Sequence, residues 1–375
     1  MPDPRIVGVM QGYAFQQRKG SAFYHLFREL DSAGELVGVV GLSIPRWLRM
    51  GLRLKNASPN RVKWNAKDQL DLMRYQLLSR KGRNGLANFE DEYNAVLQIG
   101  SNMNLNQFCE GKNVPAFSFH DNNVFAYTRS LPPRLLPEKR IQTAVDYEKR
   151  VYEGLSGVFT MSKTLARSFV TDFGLPEHKV HYAGFGSPFV AESLEDKAYD
   201  QQRILFVASH SFERKGGVTL LNAFRKIRQS LPNAQLVLVG RDWEIEEPGG
   251  EVHGFLDKRD PIDNEKYQQL FRGASMFVMP SFNEAFGEVF IEAMSHGLPC
   301  IGTNAGVMPE IICDNGAGEV IEPGDVDALA KSILGLLGDP SGLREKGEAG
   351  HRAVRSEYSW DNVIGRVNKV VSSFL

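Results

Sequence analysis

Ser281-Phe-Asn-Glu-Ala-Phe-Gly-Glu-Val-Phe-Ile-Glu-Ala-Met-Ser-His-Gly-Leu-Pro-Cys-Ile-Gly-Thr303 decides how this chain is read. It follows an apolar run, Ser275-Met-Phe-Val-Met-Pro280, whose length and composition predict a buried strand. A loop carrying Glu284 comes next, then a Phe286-Gly287 turn and an amphipathic helix over 288–296 carrying Glu292. Gly297-Leu-Pro299 stops that helix and a second apolar strand begins. Glu284 and Glu292 are eight residues apart, about 80° out of register on one continuous helix. Gly287 interrupts such a helix, so Glu284 belongs to the approach loop. Unpaired N–H groups and the macrodipole at a helix start attract phosphate. Carboxylates accept hydrogen bonds from sugar and ribose hydroxyls. The segment therefore has the parts of a site for a polyhydroxylated, phosphorylated ligand. From these residues alone two plainer readings stay open. Glu284 and Glu288 can simply answer the helix dipole, or the carboxylates can form a glycosidase-like pair, which needs a separation of roughly 5–9 Å.

Outward from this segment, short apolar runs alternate with helical periodicity, as in α/β units. Strands are predicted at 5–10, 36–42, 95–100, 114–120 and 157–161, with helices including 22–30, 145–153 and 163–172. A break follows at Tyr182-Ala-Gly-Phe-Gly-Ser-Pro188 and the polar run 192–202, where a hinge is expected. Alternation restarts with strands at 203–208, 235–240, 276–279 and 299–302 and helices at 218–229, 266–272, 288–296 and 327–337. The fold class read from this is α/β, two doubly wound domains. In open parallel sheets the strand C-termini carry the binding loops. The most polar exit in the first half is His120-Asp-Asn-Asn123.

The chain has 375 residues and a net charge of −1, so nothing global argues for nucleic acid. Its 3 cysteines, Cys109, Cys300 and Cys313, are widely spaced and show no metal-binding pattern, which fits the reduced cytosol. The first ten residues lack a basic, apolar leader pattern and read as a first strand. No segment has the roughly 18 apolar residues needed to span a bilayer.

Phe212-Glu-Arg-Lys-Gly-Gly217 lies between a strand and a helix. Arg214 and Lys215 beside two glycines suit a pyrophosphate, although an isolated Arg-Lys-Gly-Gly reads better as an ordinary solvated turn. His120 at a strand end can donate to a phosphate or a departing oxygen, or can be held by local backbone. Asp325-Val-Asp327 resembles a metal-binding DxD, but Pro323-Gly-Asp325 reads better as a turn before a helix. No GxGxxG or GxxxxGK[ST] supports a dinucleotide or P-loop reading. Between 42 and 85 stand eleven Lys and Arg and only Asp68 and Asp71, a local excess of nine positive charges. Arg46, Arg49 and Arg53 cluster on one side of a helix. The stretch reads as a contact for an anionic acceptor or membrane surface, or as a solvated helix whose apolar face packs on its own domain.

Together these pieces resemble the large family 4 of retaining, GT-B-fold glycosyltransferases, most strongly over 154–360. Glu284 to Pro299 is similar to the family's Glu-x7-Glu signature. The likeness continues through Pro309-Glu-Ile-Ile312, Gly316-Ala-Gly318, Glu322-Pro-Gly-Asp325 and Tyr358-Ser-Trp-Asp361. Met161-Ser162 with Phe173-Gly-Leu-Pro-Glu-His-Lys-Val180 resembles the last helix and strand of the family's N-terminal domain. The resemblance implies two Rossmann-like domains facing a central cleft: 1–186 on the acceptor side, 187–358 binding the nucleotide sugar, and a helix over 359–375 crossing back. It implies that Glu284 binds donor-sugar hydroxyls and Glu292 the ribose. Backbone groups of Phe286, Gly287, Glu288 and Val289 would hold sugar and pyrophosphate, and Lys215 would neutralise the diphosphate. His120 matches a strand-end His beside the sugar, and Gly20 is a looser match to a glycine-rich loop near the phosphates. The implied catalytic set is His120, Lys215 and Glu284.

The implied reaction is a metal-independent, same-face transfer of sugar to a hydroxyl of a glycan or lipid-linked acceptor, with no cofactor beyond the nucleotide sugar. The place implied is the cytoplasm, including the inner face of a membrane through 46–83. An epimerase or hydrolase on the same scaffold and a non-catalytic nucleotide-sugar-binding protein are the alternatives. The sequence departs from the family pattern at Ala208-Ser209, where an Arg is usual. Either Arg214 or His210 replaces it, or the phosphate is held less tightly.

Overall fold

The computed structural model describes residues 3–12, 22–90, 92–187, 193–195, 197–209, 211–241 and 243–375. It divides into two compact units, Met1–Gly184 with Val363–Leu375, and Phe185–Asn362. The division falls beside Gly184, whose φ of 77° lies in the left-handed region glycine adopts without strain.

The first unit runs β1 (Ile6–Gln11), α1 (Ala22–Ser32), β2 (Leu36–Leu42), α2 (Arg46–Lys55), α3 (Arg61–Gln69), α4 (Leu72–Ala87) and β3 (Ala95–Ile99). It continues with α5 (Asn106–Lys112), β4 (Ala116–His120), α6 (Val124–Arg129), α7 (Glu138–Glu153), β5 (Gly157–Thr160), α8 (Lys163–Thr171) and β6 (Val180–Tyr182). The strands form one parallel sheet in the order β2-β1-β3-β4-β5-β6. β3, β4 and β5 are buried at every residue. Helices cover both faces of a parallel sheet, which is why these strands read as continuous apolar runs without alternation. Val7, Val96, Tyr152 and Phe169 lie in the shared core.

The second unit runs β7 (Arg203–Val207), α9 (Gly217–Ser230), β8 (Gln235–Val239), β9 (Gly250–His253), α10 (Pro261–Arg272), β10 (Met276–Val278) and α11 (Glu288–Ser295). Then follow β11 (Cys300–Thr303), α12 (Met308–Ile312), β12 (Gly318–Ile321), α13 (Val326–Leu337) and α14 (Pro340–Ser356). Its sheet is parallel, in the order β12-β11-β10-β7-β8-β9. Counted from its own first strand, that is the Rossmann order 3-2-1-4-5-6 reversed in direction of reading. The order switches between β7 and β10. Ligands in such sheets sit at the C-terminal ends of the strands flanking the switch, so the loops after β7 and β10 are singled out by topology alone. The last helix, α15 (Trp360–Ser372), begins in the second unit, and its residues from Val363 group with the first.

The strands expected from the sequence are present within a residue or two. α7 and α10 start earlier than their apolar periodicity suggested, at Glu138 and Pro261. Asp260 caps α10 through the amides of Ile262 and Asp263, and Pro261 fits the first helical turn. β9 and β12 were not anticipated, and β6 only through the resemblance that ends at Val180; all three are edge strands, three or four residues long and partly exposed, so they lack an apolar run. Asp325 caps α13 through the amide of Ala328, as the turn reading of Pro323-Gly-Asp325 requires.

Candidate functional site

The loop after β7 closes with Arg214-Lys215-Gly216 at the start of α9, and Gly216 has φ 79°. A Cβ there would stand 2.0 Å from the Pro280 carbonyl oxygen, so only glycine lets this turn lie against the chain leaving β10. The two loops are tied together: Phe282 N donates to Arg214 O at 2.9 Å, and Arg214 Nη1 donates to Asn283 O at 3.0 Å. The topological switch and the glycine contact thus place Lys215 beside Glu284, 69 residues later.

Lys215 Nζ donates to both oxygens of Glu284 at 2.7 Å, and Ser281 Oγ donates to Oε1 at 2.6 Å. The Glu284 side chain is 7% exposed and that of Lys215 17%. Glu284 sits on the approach loop. Gly287, at φ 74°, is the N-cap of α11, and no side chain caps that end. The first-turn amides of Glu288 and Val289 therefore have no intrahelical partner and are open to an anion. Phe286 is buried and its ring packs edge-on against Phe185 at 5.2 Å, which fixes the turn.

Glu292, one turn into α11, is 1% exposed. Tyr267 Oη donates to its Oε2 at 2.6 Å, and Lys258 Nζ donates to its Oε1. Lys258 also lies 4.6 Å from the Tyr267 ring centroid. Burial and the Glu292 charge hold the Tyr267 phenol well above its ordinary pKa, so it stays a donor. Burial, and then the charge of Glu292 four residues on, push the Glu288 carboxyl up to about 7, against the opposing pull of Lys258. Neither Lys258 nor Tyr267 was anticipated. They come from the loop after β9 and from α10, and the only signal was the polar Asp257-Lys-Arg-Asp260 run after an unrecognised strand.

The structure brings Arg214, Lys215, Glu284, Phe286, Gly287, Glu288, Val289 and Glu292 into one neighbourhood of the second unit. His120 belongs to the first. The sequence leaves it either a strand-end donor to a phosphate or departing oxygen or a side chain held locally; in the structure the residue is 1% exposed. It points to the same sheet face as Ser118, whose Oγ lies 2.8 Å from Nε2, and packs on Tyr152 and Phe169 at 5.4 and 5.0 Å. Burial drops its pKa to about 3, so the imidazole is neutral. Period-2 alternation, which the sequence could not phase, put it on the sheet face packed by Tyr152 of α7 and Phe169 of α8. Gly20 and His210 lie outside the described residues. Ser209 is exposed, and Arg214, pinned to Asn283 O, is the described cation nearest in sequence to it.

Residues 192–353 match the family model described as glycosyl transferases group 1. The second unit is a glycosyl transferases group 1 domain. The chain is 27% identical over 238 residues to an MMP alpha-(1->4)-mannosyltransferase of Mycolicibacterium hassiacum, covering 59% of this chain and 55% of that protein. It is 28% identical to a phosphatidyl-myo-inositol mannosyltransferase of Mycolicibacterium smegmatis, over 48% of this chain and 47% of that one. The alignments thus span about half the length of these curated relatives. In structure it resembles Anabaena Alr3699/HepE, solved in complex with UDP, with a TM-score of 0.68, 16% identity and coverage of 98% and 100%. The fold is GT-B, two Rossmann-like α/β units, as the sequence motifs implied.

Proposed function

We propose that the chain is a retaining glycosyltransferase that moves a sugar from a nucleoside diphosphate sugar to an acceptor hydroxyl without a metal ion. The observation that carries this is the paired arrangement around the start of α11. One carboxylate–lysine pair, Glu284–Lys215, lies on the approach side of the open amides of 288 and 289; a second, Glu292–Lys258, lies one turn in. A diphosphate draws Lys215 and the helix start to itself and frees Glu284 to accept from donor-sugar hydroxyls. Glu292, held in place by Lys258 and Tyr267, accepts from the ribose. As the glycosidic bond breaks, charge develops on the leaving diphosphate, where fixed N–H donors and Lys215 stabilise it; such preorganised donors are usually the largest catalytic term. A leaving-group phosphate oxygen takes the acceptor proton on the same face.

The acceptor assigned is a glycan or lipid-linked hydroxyl, met at an anionic membrane face on the side of residues 46–83. The relative from M. smegmatis, named for a phosphatidyl-inositol acceptor, supports that class. The test is turnover with a panel of nucleotide sugars, with and without acceptor, and anomeric analysis of the product. Transfer with retention, unchanged by EDTA, is the expected result. A strict need for a divalent metal refutes the metal-free step. Donor cleavage or isomerisation that ignores every acceptor refutes transfer.

A further inference from the structure

The helix α2, Arg46-Trp-Leu-Arg-Met-Gly-Leu-Arg-Leu-Lys55, contains no acidic residue. At 100° per residue its side chains fall into three stripes. Leu52, buried, and Leu48, half-buried, form the stripe that packs on the unit. Trp47, Met50 and Leu54 lie within about 60° of one another on the far side. They are 73%, 63% and 65% exposed. Arg46, Arg49 and Arg53, all exposed, form a row alongside that outer apolar stripe. So the reading in which the apolar face of this helix packs on its own domain holds for Leu48 and Leu52 and not for Trp47, Met50 and Leu54. Ten large apolar side chains are exposed among the described residues, and five of them, Trp47, Met50, Leu54, Val62 and Met73, fall within this short stretch. Such a concentration marks an interaction face.

The neighbouring helix completes the face. Between α2 and α3 lies a groove of about 580 Å³ lined by Met50, Arg53, Leu54, Arg61, Trp64 and Asn65. Trp64 Nε1 donates to Arg53 O at 2.7 Å, and the Arg53 guanidinium lies 5.4 Å from the Trp64 ring centroid. The groove thus has apolar walls and two guanidinium groups at its rim.

We infer that α2 and the α2–α3 groove dock on an anionic phospholipid bilayer, with Trp47, Met50 and Leu54 entering the headgroup–acyl boundary and the arginines meeting lipid phosphates. An interfacial helix needs an apolar ridge flanked by cations. The local excess of nine positive charges, in a chain of net −1, supplies the complementarity. Nucleic acid fits less well, because a phosphate backbone takes up the cations and leaves the ridge of Met50 and Leu54 uncovered. The inference gives a physical form to the membrane-side acceptor proposed above and rests on the transferase reading only for that acceptor.

The test is co-sedimentation of the full chain with vesicles of phosphatidylcholine alone or with phosphatidylglycerol added. Pelleting with the anionic vesicles only, diminished at about 0.5 M salt, is the expected result. The exposed-site variant Trp47→Ser/Met50→Ser/Leu54→Ser, and separately Arg46→Glu/Arg49→Glu, should each weaken partitioning by about tenfold or more. Both should keep the circular dichroism spectrum and the thermal shift with nucleotide sugars. No pelleting with anionic vesicles overturns the inference. So does unchanged partitioning of the apolar triple variant, a dimer lost in that variant, or tighter binding to single-stranded RNA than to vesicles. Nucleotide-sugar binding is measured without vesicles, so its loss would count against the transferase reading and leave the docking face standing.

Discussion

Lys215→Met is the substitution that most directly tests the site. Lys215 makes two 2.7 Å bonds to Glu284 in surroundings where the two side chains are 17% and 7% exposed. At an effective dielectric of about 20 the gross attraction is about 6 kcal/mol. Desolvation of both groups offsets most of it, and removal of one partner from this half-sheltered pair should cost about 2 kcal/mol of stability. With donor bound, Lys215 faces a diphosphate, and a hydrogen bond to a charged group contributes about 1.5–3 kcal/mol. That is roughly a 10- to 150-fold loss in donor affinity or kcat/KM. The two effects separate in Lys215→Met/Glu284→Gln. Removing the unpaired carboxylate should restore most of the melting temperature, since the orphaned charge is gone. It should not restore binding, because the cation that meets the diphosphate is still missing. Titration calorimetry with nucleotide sugars and thermal denaturation read both quantities. Wild-type affinity within about twofold in Lys215→Met, or full recovery of affinity in the double variant, would refute the diphosphate role.

Glu292→Gln and Lys258→Met should each weaken donor binding by at least about tenfold, and their effects should not add, since one side chain positions the other; calorimetry on the singles and the double checks this. The Glu288 carboxyl, ordinarily near 4.5, titrates near 7 in the folded protein. A raised carboxyl pKa gives stability that is complete below the unfolded value and lost as pH rises through the folded one. Wild-type stability should therefore fall between about pH 4.5 and 7, by at most about 3–4 kcal/mol. Glu288→Gln should flatten that slope in denaturant titrations. The same variant should remove the part of donor affinity that declines from pH 6 to 8, where a Glu288 charge opposes the incoming diphosphate. Gly216→Ala places a Cβ 2.0 Å from Pro280 O and forces an L residue to φ 79°; a stability loss of about 2 kcal/mol or more is expected by chemical denaturation.

Much of the second unit was legible in the chain. The strands β7, β8, β10 and β11 are buried on both faces and so are written as apolar runs. The 281–303 segment shows its loop, its αL glycine and its helix directly, because each depends on neighbours within a few residues. The short edge strands β6, β9 and β12 carry no apolar run to read, because pairing along one sheet edge asks little of their side chains.

What the sequence determined by itself was therefore local: which segments are strands and helices, that Gly287 breaks the helix between Glu284 and Glu292, and that the chain repeats an α/β pattern twice. Tertiary structure decided which charges meet. Glu284 finds Lys215 across 69 residues and Glu292 finds Lys258 across 34, because β7 and β10 are neighbours at the switch point and α10 brings Tyr267 over α11. It also decided which way two ambiguous side-chain sets point. His120 turns inward because the sheet fixes the phase of its strand. Trp47, Met50 and Leu54 turn outward because Leu52 occupies the inward stripe of α2. Sequence periodicity gives the angles between side chains on an element, whereas only packing fixes where that element points.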